Sequence, residues 1–103
     1  MIVYEVNLDV DASVAAEYRT WLGAHMREIL TLPGFVSAEI FERRDPPAPP
    51  GQCSYCAVYR LASGEDLERY LREHAPRLRA DGLARFPGKF TATRRILAPL
   101  GAV

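Results

Sequence analysis

Phe35-Val-Ser-Ala-Glu-Ile-Phe-Glu-Arg-Arg44 and Cys53-Ser-Tyr-Cys-Ala-Val-Tyr-Arg-Leu61 flank the stretch Asp45-Pro-Pro-Ala-Pro-Pro-Gly-Gln52. The flanks read as two consecutive β-strands. In the first, Val36, Ala38 and Ile40 oppose Phe35, Ser37, Glu39 and Phe41. The second is apolar on both faces, through Tyr55, Ala57 and Tyr59 and through Cys56 and Val58, as in a strand inside a sheet. Between them lie four of the eight prolines. Proline cannot donate to a ladder, so this segment is a stiff loop, too long for a two-residue hairpin turn.

Working outward, each strand is followed or preceded by a helical pattern. On the N-terminal side, Val14, Tyr18, Leu22, His25 and Ile29 form a stripe, with Trp21, Met26 and Leu30 beside it. Asp11 or Ser13 offers its N-cap, and Pro33-Gly34 ends it. Ahead of it, Ile2, Tyr4, Val6, Leu8 and Val10 alternate with Glu5, Asn7 and Asp9, which is a half-buried strand. On the C-terminal side, Ser63-Gly64-Glu65-Asp66 is similar to a capping box and opens a stripe of Leu67, Tyr70, Leu71, His74 and Leu78. Pro76 forces that helix to kink or to restart as a short helix reaching Arg85. Pro87-Gly88 then precedes a last strand, Lys89 to Leu97. There Phe90, Ala92, Arg94 and Ile96 oppose Thr91, Thr93 and Arg95.

The order βαββαβ predicts an α+β fold: a four-stranded antiparallel sheet with both helices on one face. Residues 1–98 form one domain and 99–103 a tail. The other sheet face is left bare, and a second copy of the sheet is its natural cover, which predicts a symmetric homodimer.

The 103 residues leave no room for a second domain, and 49% hydrophobic content excludes a disordered chain. Thirteen basic and thirteen acidic residues give a net charge of zero, which argues against a nucleic-acid partner. No apolar run approaches the roughly 18 residues of a membrane span. The first residues lack the basic and apolar segments of a signal peptide, so the expected location is the cytoplasm. The neutrality is a cancellation. Met1 to Tyr59 carries 4 basic and 8 acidic residues, a charge of −4; Arg60 onward carries 9 and 5, a charge of +4. Arg94 of the last strand should pair either with a carboxylate such as Glu5 of the neighbouring first strand or with an anionic ligand.

Cys53 and Cys56 have the C-x-x-C spacing, but an odd offset in a strand points them to opposite faces, about 10 Å apart. They read as two small buried thiols, and no metal site is expected from them. His25 and His74 are the only histidines, each on the apolar stripe of its helix. Together they could face one interior space between helices and sheet. The amphipathic aromatics Tyr4, Trp21, Tyr59 and Tyr70 would wall such a space, with Asn7 and His25 as further ligand contacts. Arg94 would meet an anion and His74 would do acid/base work.

Glu17-Tyr18-Arg19-Thr20-Trp21-Leu22 with His25, then Pro33-Gly34-Phe35 and Ile40-Phe41, resembles the first half of an uncharacterised family of short bacterial proteins, known as a domain of unknown function. The second half carries the more specific match: Asp66-Leu67-Glu68-Arg69-Tyr70-Leu71, Glu73-His74-Ala75-Pro76-Arg77-Leu78, Arg85-Phe86, Gly88-Lys89-Phe90 and Arg94-Arg95-Ile96-Leu97. That family is similar in turn to the ferredoxin-like dimeric α/β-barrel superfamily, whose members pair through their sheets. The superfamily includes cofactor-free monooxygenases, muconolactone isomerases, haem-degrading enzymes and stress-response proteins. The haem-degrading branch uses a first-strand Asn, matched by Asn7, and a Trp and His in the second helical region, where Tyr70 and Ala80 stand here.

The resemblance implies a cavity between helices and sheet in each subunit. The expected function is homodimeric binding of a small apolar or aromatic anion, with no cofactor. A cofactor-independent monooxygenase or isomerase and a non-enzymatic interaction module are the alternatives.

Overall fold

The computed structural model describes all 103 residues. Strand β1 spans Ile2–Asp11, helix α1 Ala15–Leu30, β2 Phe35–Glu42, β3 Gln52–Leu61, α2 Gly64–Glu73, α3 Ala75–Arg85 and β4 Phe90–Leu97. The four strands form one antiparallel sheet in the order β2-β3-β1-β4, so β3 and β1 are interior. All three helices lie on one face, giving the ferredoxin-like βαββαβ arrangement.

Local chemistry sets the element ends. Asp11 accepts a hydrogen bond from the Ser13 backbone N–H at 2.9 Å and caps a 3-10 turn, Ala12–Val14, that leads into α1. Ser63 caps α2: its Oγ accepts from the Asp66 N–H at 3.2 Å and donates to the Asp66 carboxylate at 2.8 Å. The helix restarts at Pro76, which sits in the first turn of α3, where a missing N–H costs nothing. His74 is the joint, with φ −123° and ψ −38°.

The core lies between the helices and one sheet face. Val10, Tyr18, Ile29, Leu61 and Leu78 are its most enclosed large side chains. Phe35 corrects its expected face. The β2–β3 register slips between Phe35 and Ser37, a bulge that leaves Val36 56% exposed. One extra residue reverses the alternation. Phe35 therefore packs edge-on against Tyr59 and Tyr70, at 5.7 and 5.0 Å between ring centroids, while Ala38 and Ile40 also join the core.

The open sheet face is more polar than the sequence suggests. Val3, Phe41, Val58 and Leu97 share it with Glu5, Asn7, Cys56 and Arg60. Arg95, not Arg94, is the partner of Glu5, with Nη2 2.8 Å from its carboxylate. Alternation explains the correction: Glu5 sits directly across from Arg95, and Arg94 sits across from Val6 on the helix face. Arg43 reaches Asp9 and Ser54 at 3.1 Å and donates from Nε to the Pro46 carbonyl at 3.0 Å, tying the proline loop to the sheet. Acidic first-half and basic second-half residues meet again at Asp11–Lys89 and Glu28–Arg77. Both cysteines are free and half-buried, more open than expected.

Candidate functional site: an aromatic cavity between helices and sheet

Side chains of Tyr4, Val6 and Leu8 on β1, Ala57 and Tyr59 on β3, and Phe90 and Ala92 on β4 form the floor of a cavity of about 280 Å³. Helix α1 supplies Tyr18, Trp21, Leu22, His25 and Ile29 as one wall. Tyr70 of α2 and Leu78, Arg79, Gly82 and Leu83 of α3 close the other, and Arg94 stands at the β4 side. The cavity exists because large rings meet at angles and do not fill the layer between helices and sheet. Tyr18 alone lies tilted or edge-on to Trp21, Phe86 and Phe90, at centroid distances of 5.4, 5.0 and 5.1 Å.

Tyr4, Trp21, His25, Tyr59, Tyr70 and Arg94, all singled out from the sequence, line this one cavity. Asn7 and His74 do not. Asn7 is an odd residue of β1 and looks out on the open sheet face, between Glu5 and Cys56. His74 is displaced by Pro76. At the joint its backbone N–H still bonds to the Tyr70 carbonyl, but its dihedrals leave the helical range and break the phase of the stripe. The two histidines therefore do not share a lining.

Sequence reasoning overlooked Tyr18, Arg79 and Gly82 as site residues. Gly82 had a readable signal, a glycine inside a helical pattern. A Cβ there would lie 3.0 Å from Trp21 Cη2, so the bare backbone lets the indole lie against α3. The indole is held further by its Nε1–H, which donates to Asp81 Oδ2 at 3.2 Å. His25 then stacks on the indole, with centroids 4.5 Å apart and planes inclined by 23°.

The polar groups fall into two sets. Arg79 donates to Tyr4 Oη at 3.1 Å. Tyr18, Tyr59 and Tyr70 are engaged by no such bond. Burial pushes all three phenols up, Tyr70 to about 12, while the Arg94 guanidinium pulls each the other way. They are therefore neutral donors beside a cation. Burial holds His25 below its ordinary value, opposed by the carboxylates of Glu28 and Asp81. The imidazole is thus neutral at physiological pH, with a free lone pair. No three His, Cys, Asp or Glu side chains gather closely enough to hold a metal ion.

The depressed His25 has a stability consequence. Above its ordinary 6.5 both folded and unfolded chains hold it neutral, and it contributes no slope. As pH falls below that value, the unfolded chain takes up a proton that the folded chain resists. Stability is therefore lost with falling pH until the folded value is passed. Urea midpoints measured at pH about 7.5 and about 5.5 should differ more for the wild type than for His25→Gln. Equal differences would show that His25 titrates alike in both states.

Comparison with known proteins places this architecture. No curated protein matches the chain. Among solved structures, a candidate antibiotic biosynthesis monooxygenase from Deinococcus radiodurans superposes with a TM-score of 0.76 at 15% identity, covering 100% of this chain and 96% of that one. SnoaB, a cofactor-independent oxygenase from Streptomyces nogalater, gives 0.64 at 17%, covering 99% and 96%. MhuD, a heme-degrader from Mycobacterium tuberculosis solved with two hemes in its active site, gives 0.69 at 17%, covering 100% and 99%. At these identities the likeness is one of fold. Residues 1–100 match the family described as "Domain of unknown function (DUF4286)". With nearly its whole length matched, the chain belongs to the DUF4286 family.

Proposed function

We propose that this protein is a homodimer that binds a small aromatic anion in the cavity between its helices and sheet. One observation carries the reading: a cavity walled by aromatic rings, with three neutral phenol hydroxyls uncommitted and a guanidinium beside them. Apolar walls with a few convergent polar groups are the usual composition of a small-molecule site, and about 280 Å³ lies at the small end of the range. That size suits one or two fused rings. The phenols hydrogen-bond to oxygen substituents, and Arg94 receives the charge.

A porphyrin does not suit this space. It needs far more than 280 Å³, and the one imidazole on the lining, His25, lies flat on Trp21. An enzymatic role is favoured by that same imidazole, whose lone pair is available on the lining of a largely aromatic chamber. The homodimer reading rests on the uncovered sheet face, where Phe41 and Leu97 are 44% and 39% exposed around the Glu5–Arg95 pair. A second copy would cover them.

Trp21 is the only tryptophan, so its emission reports on the cavity directly. Titration with 2-naphthoate is expected to change that emission saturably, with 2-naphthylmethanol binding at least about tenfold more weakly. Sedimentation should give twice the chain mass. A linear, non-saturable response to both compounds would end the cavity reading, and a monomer at all concentrations would end the dimer reading.

A further inference from the structure

The cavity lining carries a proton acceptor and, with it, oxyanion-stabilising groups. His25 presents an uncommitted imidazole, fixed in orientation by stacking on Trp21, which is itself pinned to Asp81. The charged groups around it are Glu28 on its own helix and Asp81 on α3. Glu28 is held in turn by Arg77 of α3 at 3.3 Å. Both carboxylates favour the imidazolium that would form on proton uptake. Arg94 of β4 and the phenols of Tyr18, Tyr59 and Tyr70 stand elsewhere on the same lining. Buried, protonated phenols, with the exposed Arg94 guanidinium near them, are suited to negative charge developing on a carbonyl oxygen.

We infer that the cavity catalyses proton transfer at the carbon next to a carbonyl, with His25 as the general base and an aromatic α-keto acid as the class of substrate. This rests on the binding function proposed above. The step needs no oxidant or cofactor. A ring nitrogen of His25 takes a proton from the activated C–H. The electron pair of that bond forms the C=C of the enolate, and the carbonyl π pair moves onto oxygen. The oxyanion accepts hydrogen bonds from the phenols, while Arg94 holds the carboxylate. The imidazolium then returns the proton to oxygen, completing the keto-to-enol conversion, or to carbon, completing an exchange. Trp21 covers one face of the half-buried His25 ring, which reduces its solvation.

Phenylpyruvate is the probe: it is aromatic and anionic, and its benzylic hydrogens are acidic. In deuterated buffer the wild-type homodimer is expected to exchange those hydrogens saturably, faster than imidazole at equal concentration, as followed by proton NMR. His25→Gln should slow the exchange about 100-fold. His25→Asn is the second variant should the first fail to fold. In whichever folds, Trp21 emission should still report phenylpyruvate binding. His74→Gln should exchange like the wild type, because His74 lies outside the cavity. Binding by the wild type without exchange above free imidazole overturns the inference and leaves the binding function standing. Exchange undiminished in the His25 variants also overturns it. Failure of phenylpyruvate and 2-naphthoate alike to bind removes both.

Discussion

Gly34→Ala should destabilise the protein by about 3 kcal/mol or more, the sum of a conformational and a steric penalty. Gly34 joins α1 to β2 with φ +86°, in the left-handed region, and an alanine there costs roughly 1–2 kcal/mol on backbone grounds. The added Cβ would also lie 2.2 Å from Asp66 Cγ and 2.3 Å from Asp66 Cβ. Asp66 cannot swing away cheaply. Its backbone N–H bonds to the Ser63 cap, and its carboxylate accepts from Ser63 Oγ and pairs with Arg69. The Gly34 carbonyl meanwhile accepts from the Ala62 N–H at 2.8 Å, just before that cap. One glycine therefore seats the start of α2 against the turn that begins β2. Urea unfolding of Gly34→Ala should show a markedly lower midpoint at unchanged slope. A loss under about 1 kcal/mol would mean that α2 shifts freely against the turn.

The architecture was legible because its signals are local. Alternation from Ile2 to Val10, the proline-filled loop and the Pro76 break each report on a few consecutive residues, and each element lies where they place it. The errors came where a local pattern is interrupted by something local patterns do not carry. The β2 bulge at Val36 reverses a face, and it is visible only in the pairing with β3. His74 has the spacing of its stripe, yet the helical phase ends at the residue that carries it. The aromatic wall is legible in the sequence, since Tyr4, Trp21, Tyr59 and Tyr70 sit on inward faces of their elements. The meeting of an imidazole, three phenols and a guanidinium on one lining depends on how α1 and α3 pack across the sheet, which no spacing encodes.

Arg94 and Arg95 give the sharpest separation of the two surfaces, because adjacent residues of a strand serve opposite faces. Arg94 lies on the cavity lining and its charge reaches Tyr18, Tyr59 and Tyr70. Arg94→Met keeps the apolar stem and removes the charge. A charge-assisted hydrogen bond contributes roughly 1.5–3 kcal/mol, so 2-naphthoate should bind about 10- to 100-fold more weakly. Binding of 2-naphthylmethanol should hold within about twofold, since the walls are intact. Arg95→Met should do the reverse. Glu5 is only 15% exposed even within one subunit, and its carboxylate bonds to Arg95 Nε at 2.9 Å and lies 2.8 Å from Nη2. Covered by a second sheet without that partner, it would be a buried unpaired charge. Dimerisation should therefore weaken at least about tenfold, while 2-naphthoate affinity per subunit stays near the wild type. Sedimentation across a concentration series reads the first effect and Trp21 emission the second. If Arg94→Met weakens both naphthyl compounds equally, the guanidinium acts on cavity shape and not on charge. If Arg95→Met dimerises like the wild type, the Glu5 carboxylate lies outside the contact between sheets.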